Sequence, residues 1–120
     1  MAGPPSEPQI RARRREAAVE RMADHVLAHG LGGSSLRALA RSAGTSDRML
    51  LYYFASKDEI LAETLARVAA RLTARLEAIL PAGDPLPPGQ LLDRLAAATS
   101  APALRAHMQV WLELAAAAAR

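Results

Sequence analysis

The chain has 120 residues, of which 51% are hydrophobic and 22% are charged, which suits one compact domain or a small domain plus part of a second. It contains no cysteine, which excludes disulfides, thiolate zinc sites and cysteine nucleophiles. No apolar run approaches the roughly 20 residues of a membrane span, and the N-terminus lacks the basic-then-apolar order of a signal peptide, so we expect a cytoplasmic protein without membrane contact.

The net charge of +3 is concentrated in the first half of the chain. Residues 1–57 carry nine Lys and Arg against five Asp and Glu, whereas residues 58–120 carry six against seven. A basic half favours a polyanionic partner such as nucleic acid, although a solvated surface explains the same charges.

The N-terminus holds three prolines and a glycine, a composition that predicts a flexible basic tail over residues 1–11. The run "RARRRE" at 11–16 follows, and we interpret its arginines as a phosphate-binding arm or a solvated segment. A first helix is expected to begin there and to end at His29, before "GLGGSS". Its apolar stripe is formed by Val19, Met22, Ala23 and Val26.

Two short helices are predicted between residues 35 and 54. A serine can cap the start of each, Ser34 or Ser35 for the second helix of the chain and Ser46 for the third. Gly44 lies between them, where a left-handed backbone is needed. Short helices joined by such a turn are typical of the helix-turn-helix of major-groove readers, although ordinary helical bundles also contain glycine turns.

The third helix divides its residues between two faces. Leu50 and Phe54, spaced at i and i+4, are predicted to face the core. The residues left on the outside of the second and third helices are Arg37, Arg41, Asp47, Arg48 and Met49.

Ser56 can cap a fourth, longer helix that begins near Lys57. Its apolar positions advance in steps of four and three and predict a seam for a neighbouring helix: Leu61, Leu65, Val68, Leu72, Leu76 and Ile79. The proline-rich segment 81–89 breaks this helix, and two further helices are predicted at about 90–99 and 102–119. No strand pattern competes, so we expect an all-α fold.

The stretch "SLRALARSAGTSDRMLLYYFASKDEIL" resembles the DNA-binding region of TetR-family (tetracycline-repressor-like) regulators. The matching elements are Leu39-Ala40, Ala43-Gly44, Tyr52-Tyr53-Phe54 and Ser56-Lys57-Asp58-Glu59. The resemblance implies a three-helix head over residues 12–72, with its helix-turn-helix at 35–54, and a long connecting helix. Residues 73–120 would then begin a partial or shortened helical ligand-binding and dimerisation domain.

The same resemblance implies a set of DNA contacts on the helix-turn-helix and the start of the fourth helix: Ser35, Arg37, Thr45, Ser46, Asp47, Arg48, Met49, Tyr52, Tyr53 and Lys57. Asp47-Arg48-Met49 stands where the family often has Lys-Gly-Thr, and Leu51 where a tyrosine is common. These departures are expected to change base preference rather than groove docking.

By resemblance, the chain is a sequence-specific DNA-binding regulator: a homodimeric repressor released from its operator by a small apolar or cationic effector. His107, Met108 and Trp111 are expected to share a face of the last helix and to touch that effector, with ordinary core packing as the alternative. The competing interpretation is a helical protein-interaction module that does not bind an operator.

His25 and His29 lie four residues apart on one helix, a spacing that can ligate a metal. No third ligand is evident, so a structural or solvent-exposed role is favoured over a metal-dependent enzyme. The sequence also shows no phosphate-cradling glycine loop and no nucleophile–base–acid set. We therefore expect no catalytic residues, no bound metal and no cofactor.

Overall fold

A computed structural model describes residues 3–79, 83 and 85–119, and within them it contains helices and no strand. The helices are α1 (Glu7–His29), α2 (Leu36–Ser42), α3 (Asp47–Tyr53), α4 (Lys57–Ile79), α5 (Pro88–Ser100) and α6 (Pro102–Ala118). This order confirms the predicted all-α fold. None of the helices in the described residues is long and apolar enough to cross a membrane.

Helix α1 begins at Glu7, four residues before the predicted start, so residues 7–11 of the predicted tail are helical. The Ser6 hydroxyl accepts a hydrogen bond from the Gln9 backbone N–H, and the Gln9 side chain accepts one from the Ser6 N–H at 2.9 Å. This capping box satisfies two N-terminal donors, and Pro8 is tolerated in the first turn, where no intrahelical partner is lost. The flexible-tail prediction weighed the prolines and overlooked this Ser-x-x-Gln pattern; Met1 and Ala2 lie outside the described residues.

The core of the head, formed by α1 to α4, gathers around one stripe of α1. Buried side chains from five helices meet there: Ala18, Val19, Met22, Val26, Leu39, Ala40, Leu50, Phe54, Ile60 and Val110. Leu50 and Phe54 are almost fully buried, as the i, i+4 pattern predicts. Removing such large apolar side chains from water is the main force that holds α3 against α1.

Helix α4 uses only part of the predicted seam, because Val68 is the one seam residue that is fully buried. Its buried residues are Ile60, Thr64 and Val68, whereas Leu76 is exposed. The Thr64 hydroxyl donates to the Ile60 carbonyl at 2.7 Å, so the hydrogen-bonding need of this polar residue is met inside the helix. Of the predicted seam, Leu61 and Leu65 border the core and are only half-buried.

Ion pairs extend the contact between α1 and α4 outward from the core. The Arg67 guanidinium binds Glu16 and Glu20, and Arg71 binds Glu20 at 2.6 Å and Asp24 at 2.7 Å. Hydrogen bonds from Arg71 and then Arg67 lower the pKa of Glu20, although burial opposes them. These pairs fix the rotation of α4 relative to α1.

Helices α5 and α6 cover one end of the head. Helix α5 starts at Pro88, two residues before the predicted start, because proline fits the first position of a helix. It has no buried residue, whereas α6 buries His107 and Val110. The Glu113 carboxylate on α6 accepts from the Gly32 N–H at 3.1 Å and so ties α6 to the turn between α1 and α2.

Candidate DNA-binding surface

Helices α2 and α3 begin with matching serine caps. The Ser35 hydroxyl accepts from the Ala38 N–H at 3.2 Å, and the Ser46 hydroxyl accepts from the Met49 N–H at 3.1 Å. Each cap satisfies a backbone donor that has no partner inside the helix. Ser35, rather than Ser34, is therefore the cap of α2; the buried Ser34 hydroxyl instead donates to the Gly30 carbonyl at 2.7 Å.

The turn between these helices closes with a Schellman motif. The Gly44 N–H donates to the Arg41 carbonyl at 3.0 Å, and the Thr45 N–H donates to the Ala40 carbonyl at 2.9 Å. Gly44 has φ of 75°, the left-handed conformation that favours glycine. Since two hydrogen bonds and one special residue define the turn, the angle between α2 and α3 is set locally.

The inner side of α3 anchors it to the head, and its outer side is free. Leu50 and the adjoining Phe54 fill the core, and Tyr53 is half-buried against it. On the opposite side Arg48 is exposed, and 58% of Tyr52 is exposed. A short helix held from behind in this way can enter a groove of DNA with its outer side chains.

Two arginines of α1 hold the C-terminal end of α3. The Arg11 Nη2 donates to the Tyr52 carbonyl at 2.9 Å. The Arg11 guanidinium stacks over the Tyr52 ring, with its Cζ 4.4 Å from the ring centre. The Arg15 Nε donates to the Tyr53 carbonyl at 3.3 Å, and its guanidinium lies 4.5 Å from the Phe54 ring centre. Both contacts satisfy carbonyls that a helix end leaves unpaired.

These contacts give two arginines of the predicted phosphate-binding arm, Arg11 and Arg15, partners within the chain. Arg11 is used against Tyr52, and Arg15 pairs with the carboxylates of Glu59 at 3.0 Å and Glu63 at 3.3 Å. Arg11, Arg13 and Arg14 are exposed, and Arg15 is half-buried, so phosphate binding by the run stays a prediction. The spacing of Arg11 and Arg15 places them on one face of α1, but only the folded chain shows which carbonyls they meet.

The start of α1 and the end of α3 enclose a cleft of about 710 Å³. Arg11, Arg14 and Arg15 line it together with Tyr52 and Tyr53. The two tyrosine rings meet edge-to-face with their centres 5.6 Å apart. Aromatic rings beside guanidinium groups suit a polyanion at the edge of a groove. This cleft was not evident from the sequence, because residues about 40 positions apart form it.

The predicted DNA contacts fall into two groups. Ser35 and Ser46 are occupied as helix caps, and Thr45, Asp47 and Tyr53 are half-buried. The members that are exposed and do not cap a helix are Arg37, Arg48, Met49, Tyr52 and Lys57. Arg41 and Leu51 are also exposed on α2 and α3, and Leu51 extends the apolar part of the outer face.

The three predicted effector residues do not share one environment. His107 is buried and Trp111 is half-buried, but half of Met108 is exposed because it lies about 100° around the helix from His107. The predicted common face is therefore wrong for Met108. Burial, followed by the positive charges of Arg75 and Arg71, lowers the pKa of His107.

The two histidines of α1 stack on each other and form no metal cluster. Their ring centres lie 4.5 Å apart, and the His25 Nε2 lies 2.9 Å from the Gly33 carbonyl oxygen. Across the described residues, no group of three or more His, Asp or Glu side chains could hold a metal ion. The pair therefore supports the turn after α1.

Residues 16–64 match the family model described as "Bacterial regulatory proteins, tetR family". Searches of curated proteins and of solved structures returned no match. The matched residues run from the middle of α1 to the first turns of α4 and include the whole helix-turn-helix. Over residues 16–64 the chain is therefore similar to the tetR family of bacterial regulatory proteins.

Proposed function

We propose that this chain is a sequence-specific transcriptional repressor that leaves its operator when a small molecule binds. The observation that carries the proposal is the asymmetry of α3, buried on the side of Leu50 and Phe54 and exposed on the side of Arg48 and Tyr52. The match to a family of DNA-binding regulators supports the same conclusion.

Each side-chain type on this surface has a distinct role. Arg48 lies in the first turn of α3, where a guanidinium can bind guanine in the major groove through two hydrogen bonds. Asp47 can accept from a cytosine amino group, and Met49 can contact a thymine methyl. Arg37, Tyr52 and Lys57 are assigned to phosphates. Lys57 lies at the start of α4, where the helix dipole disfavours a cation, so a phosphate beside it would offset that cost.

The remaining predicted contacts support these groups. Ser35 and Ser46 present the ends of α2 and α3, whose free N–H groups favour phosphate. Thr45 lies in the turn between them, and Tyr53 packs against the core with its ring beside that of Tyr52. We assign these four residues to orientation of the surface and to backbone contacts.

Operator binding is proposed to require a homodimer, because a two-fold pair of heads reads two half-sites about one turn of DNA apart. Helices α5 and α6 carry large apolar side chains that are exposed within the chain: Leu92, Leu95, Met108 and Leu112. Covering them against a second copy would remove apolar surface from water.

The test is binding of the purified chain to DNA from upstream of its own gene, measured by fluorescence anisotropy at several salt concentrations. We expect specific binding that weakens steeply with salt. Arg48→Ala should cost about 1–3 kcal/mol for the specific site and much less for unrelated DNA. Lys57→Ala should weaken binding to all DNA sequences alike and reduce the slope of log affinity against log salt concentration by about one.

The matched control is Arg105→Ala, which removes an exposed arginine of α6 outside that surface and so changes the net charge by the same amount. It should bind the operator like the unmodified chain. If the Arg48 variant and the control bind the operator with equal affinity, Arg48 of α3 does not contact the DNA.

The second candidate is a helical interaction module without operator binding. The exposed leucines of α5 and α6 favour it, because a partner protein could cover them as well as a second copy. Analytical ultracentrifugation and heparin chromatography separate the two. A monomer that heparin does not retain supports the module, whereas a dimer eluted by salt supports the repressor.

A further inference from the structure

A second cleft, of about 460 Å³, lies between α4, α5 and α6. The end of α4 contributes Ala78 and Ile79, α5 contributes Ala97, and α6 contributes Leu104. Its volume falls in the range of about 300–1,000 Å³ that small-molecule sites occupy. An apolar body of roughly a dozen heavy atoms can therefore lie in this open cleft.

Two arginines stand at this apolar cleft. Among the described residues that line it, the charged side chains are Arg75 on α4 and Arg94 on α5. Arg94 makes a long hydrogen bond, 3.4 Å, to the Ile79 carbonyl, and neither arginine forms an ion pair with a described carboxylate. Guanidinium groups beside an apolar wall suit carboxylates, because each planar guanidinium can donate two charge-assisted hydrogen bonds to one carboxylate.

Buried polar atoms lie further along α6, on the face that also carries Leu104. The His107 Nδ1 and Trp111 Nε1 atoms have no hydrogen-bond partner among the described residues. A buried polar atom without a partner is costly, so such pairs mark places where a ligand acceptor is favoured.

We propose that the cleft binds a small organic acid, with its apolar body between α4, α5 and α6 and its carboxylate held by Arg75 and Arg94. The inference rests on the proposed function, for which it names the chemical class of the effector. A cationic effector, one of the two classes predicted from the sequence, fits this lining poorly, because two guanidinium groups would repel it.

The test is isothermal titration calorimetry of the full chain without DNA, using decanoate and 1-naphthoate as acids. Decanol and decylammonium are the neutral and cationic counterparts of decanoate. We expect both acids to bind one per chain, decanol to bind at least about tenfold more weakly, and decylammonium to give no heat. Arg75→Gln and Arg94→Gln should each weaken decanoate about tenfold, the scale of one charge-assisted hydrogen-bonding partner.

Arg105→Gln is the control, since Arg105 is an exposed arginine of α6 that lines a different cleft. It should leave decanoate binding unchanged. Absence of binding by both acids, equal affinities for decanoate and decanol, or indifference to both arginine substitutions would each overturn the proposal. Because the assay contains no DNA, failure of operator binding does not affect this result.

Discussion

The head and the two C-terminal helices differ in how far their apolar side chains are buried. In the head, α1 to α4 bury a shared cluster around Met22 and Phe54, and capped helix ends and ion pairs complete the surface. In α5 no residue is buried, and 66% of Leu92 is exposed, as is 62% of Leu112 on α6. The head therefore has its own buried core, to which α6 adds Val110, whereas α5 and the rest of α6 present apolar surface for an additional partner or ligand.

The largest expected effect tests whether stability resides in the head. Phe54→Ala should lower the free energy of unfolding by about 3–5 kcal/mol, because it empties a buried site of an aromatic ring. Leu92→Ala, the matched change on exposed α5, should stay within about 0.5 kcal/mol. Urea denaturation followed by circular dichroism measures both. Similar losses for the two variants would contradict the contrast between head and C-terminal helices.

A smaller effect compares a glycine that shapes a turn with one that does not. Gly44→Ala should destabilise by roughly 1–2 kcal/mol, because φ is 75° and a new Cβ would lie 3.0 Å from the Arg21 Nη1. Gly89→Ala, in the first turn of α5 with nothing within 4 Å, should be neutral or stabilising. Thermal unfolding of the two variants and the parent measures both changes in stability. A Gly44 variant as stable as the parent would show that the turn tolerates another conformation.

The smallest expected effect concerns His107, the polar residue that α6 buries against the head. Because its pKa is lowered from the ordinary 6.5, the unfolded chain binds a proton before the folded chain does as pH falls. The free energy of unfolding should therefore decrease as pH drops below about 6.5, with the loss complete below the folded-state pKa. His107→Leu should show a smaller decrease between pH 7.5 and 5.5 in urea denaturation. If the His107→Leu variant keeps the pH dependence of the parent, the loss of stability at low pH arises from other titratable groups.

The helix-turn-helix was the part of the fold most open to prediction. Its caps at Ser35 and Ser46, its turn at Gly44 and its inner residue Leu50 each act over a few residues, so local pattern suffices. The start of α1 was missed for a similar local reason, since a capping box was outweighed by prolines. The DNA contacts assigned to this surface remain predictions that binding measurements must test.

The buried face of α4 and the partners of Arg11 and Arg15 could not be predicted in this way. Apolar residues occupy more than one face of α4, and only packing against α1 selects Ile60, Thr64 and Val68. Likewise, an arginine pattern does not show whether it meets phosphate or the carbonyls of Tyr52 and Tyr53. Met108 was misplaced because an adjacent position on α6 points in another direction.

The amino-acid sequence alone therefore determined the all-α fold, the glycine turn and the similarity of residues 16–64 to a known family, because caps, turns and periodicity act between near neighbours. Tertiary structure alone decided which face of α4 is buried, which arginines are held against α3, and that Arg75 and Arg94 meet at one apolar cleft. Those outcomes depend on contacts between residues distant in the chain, which no local pattern encodes.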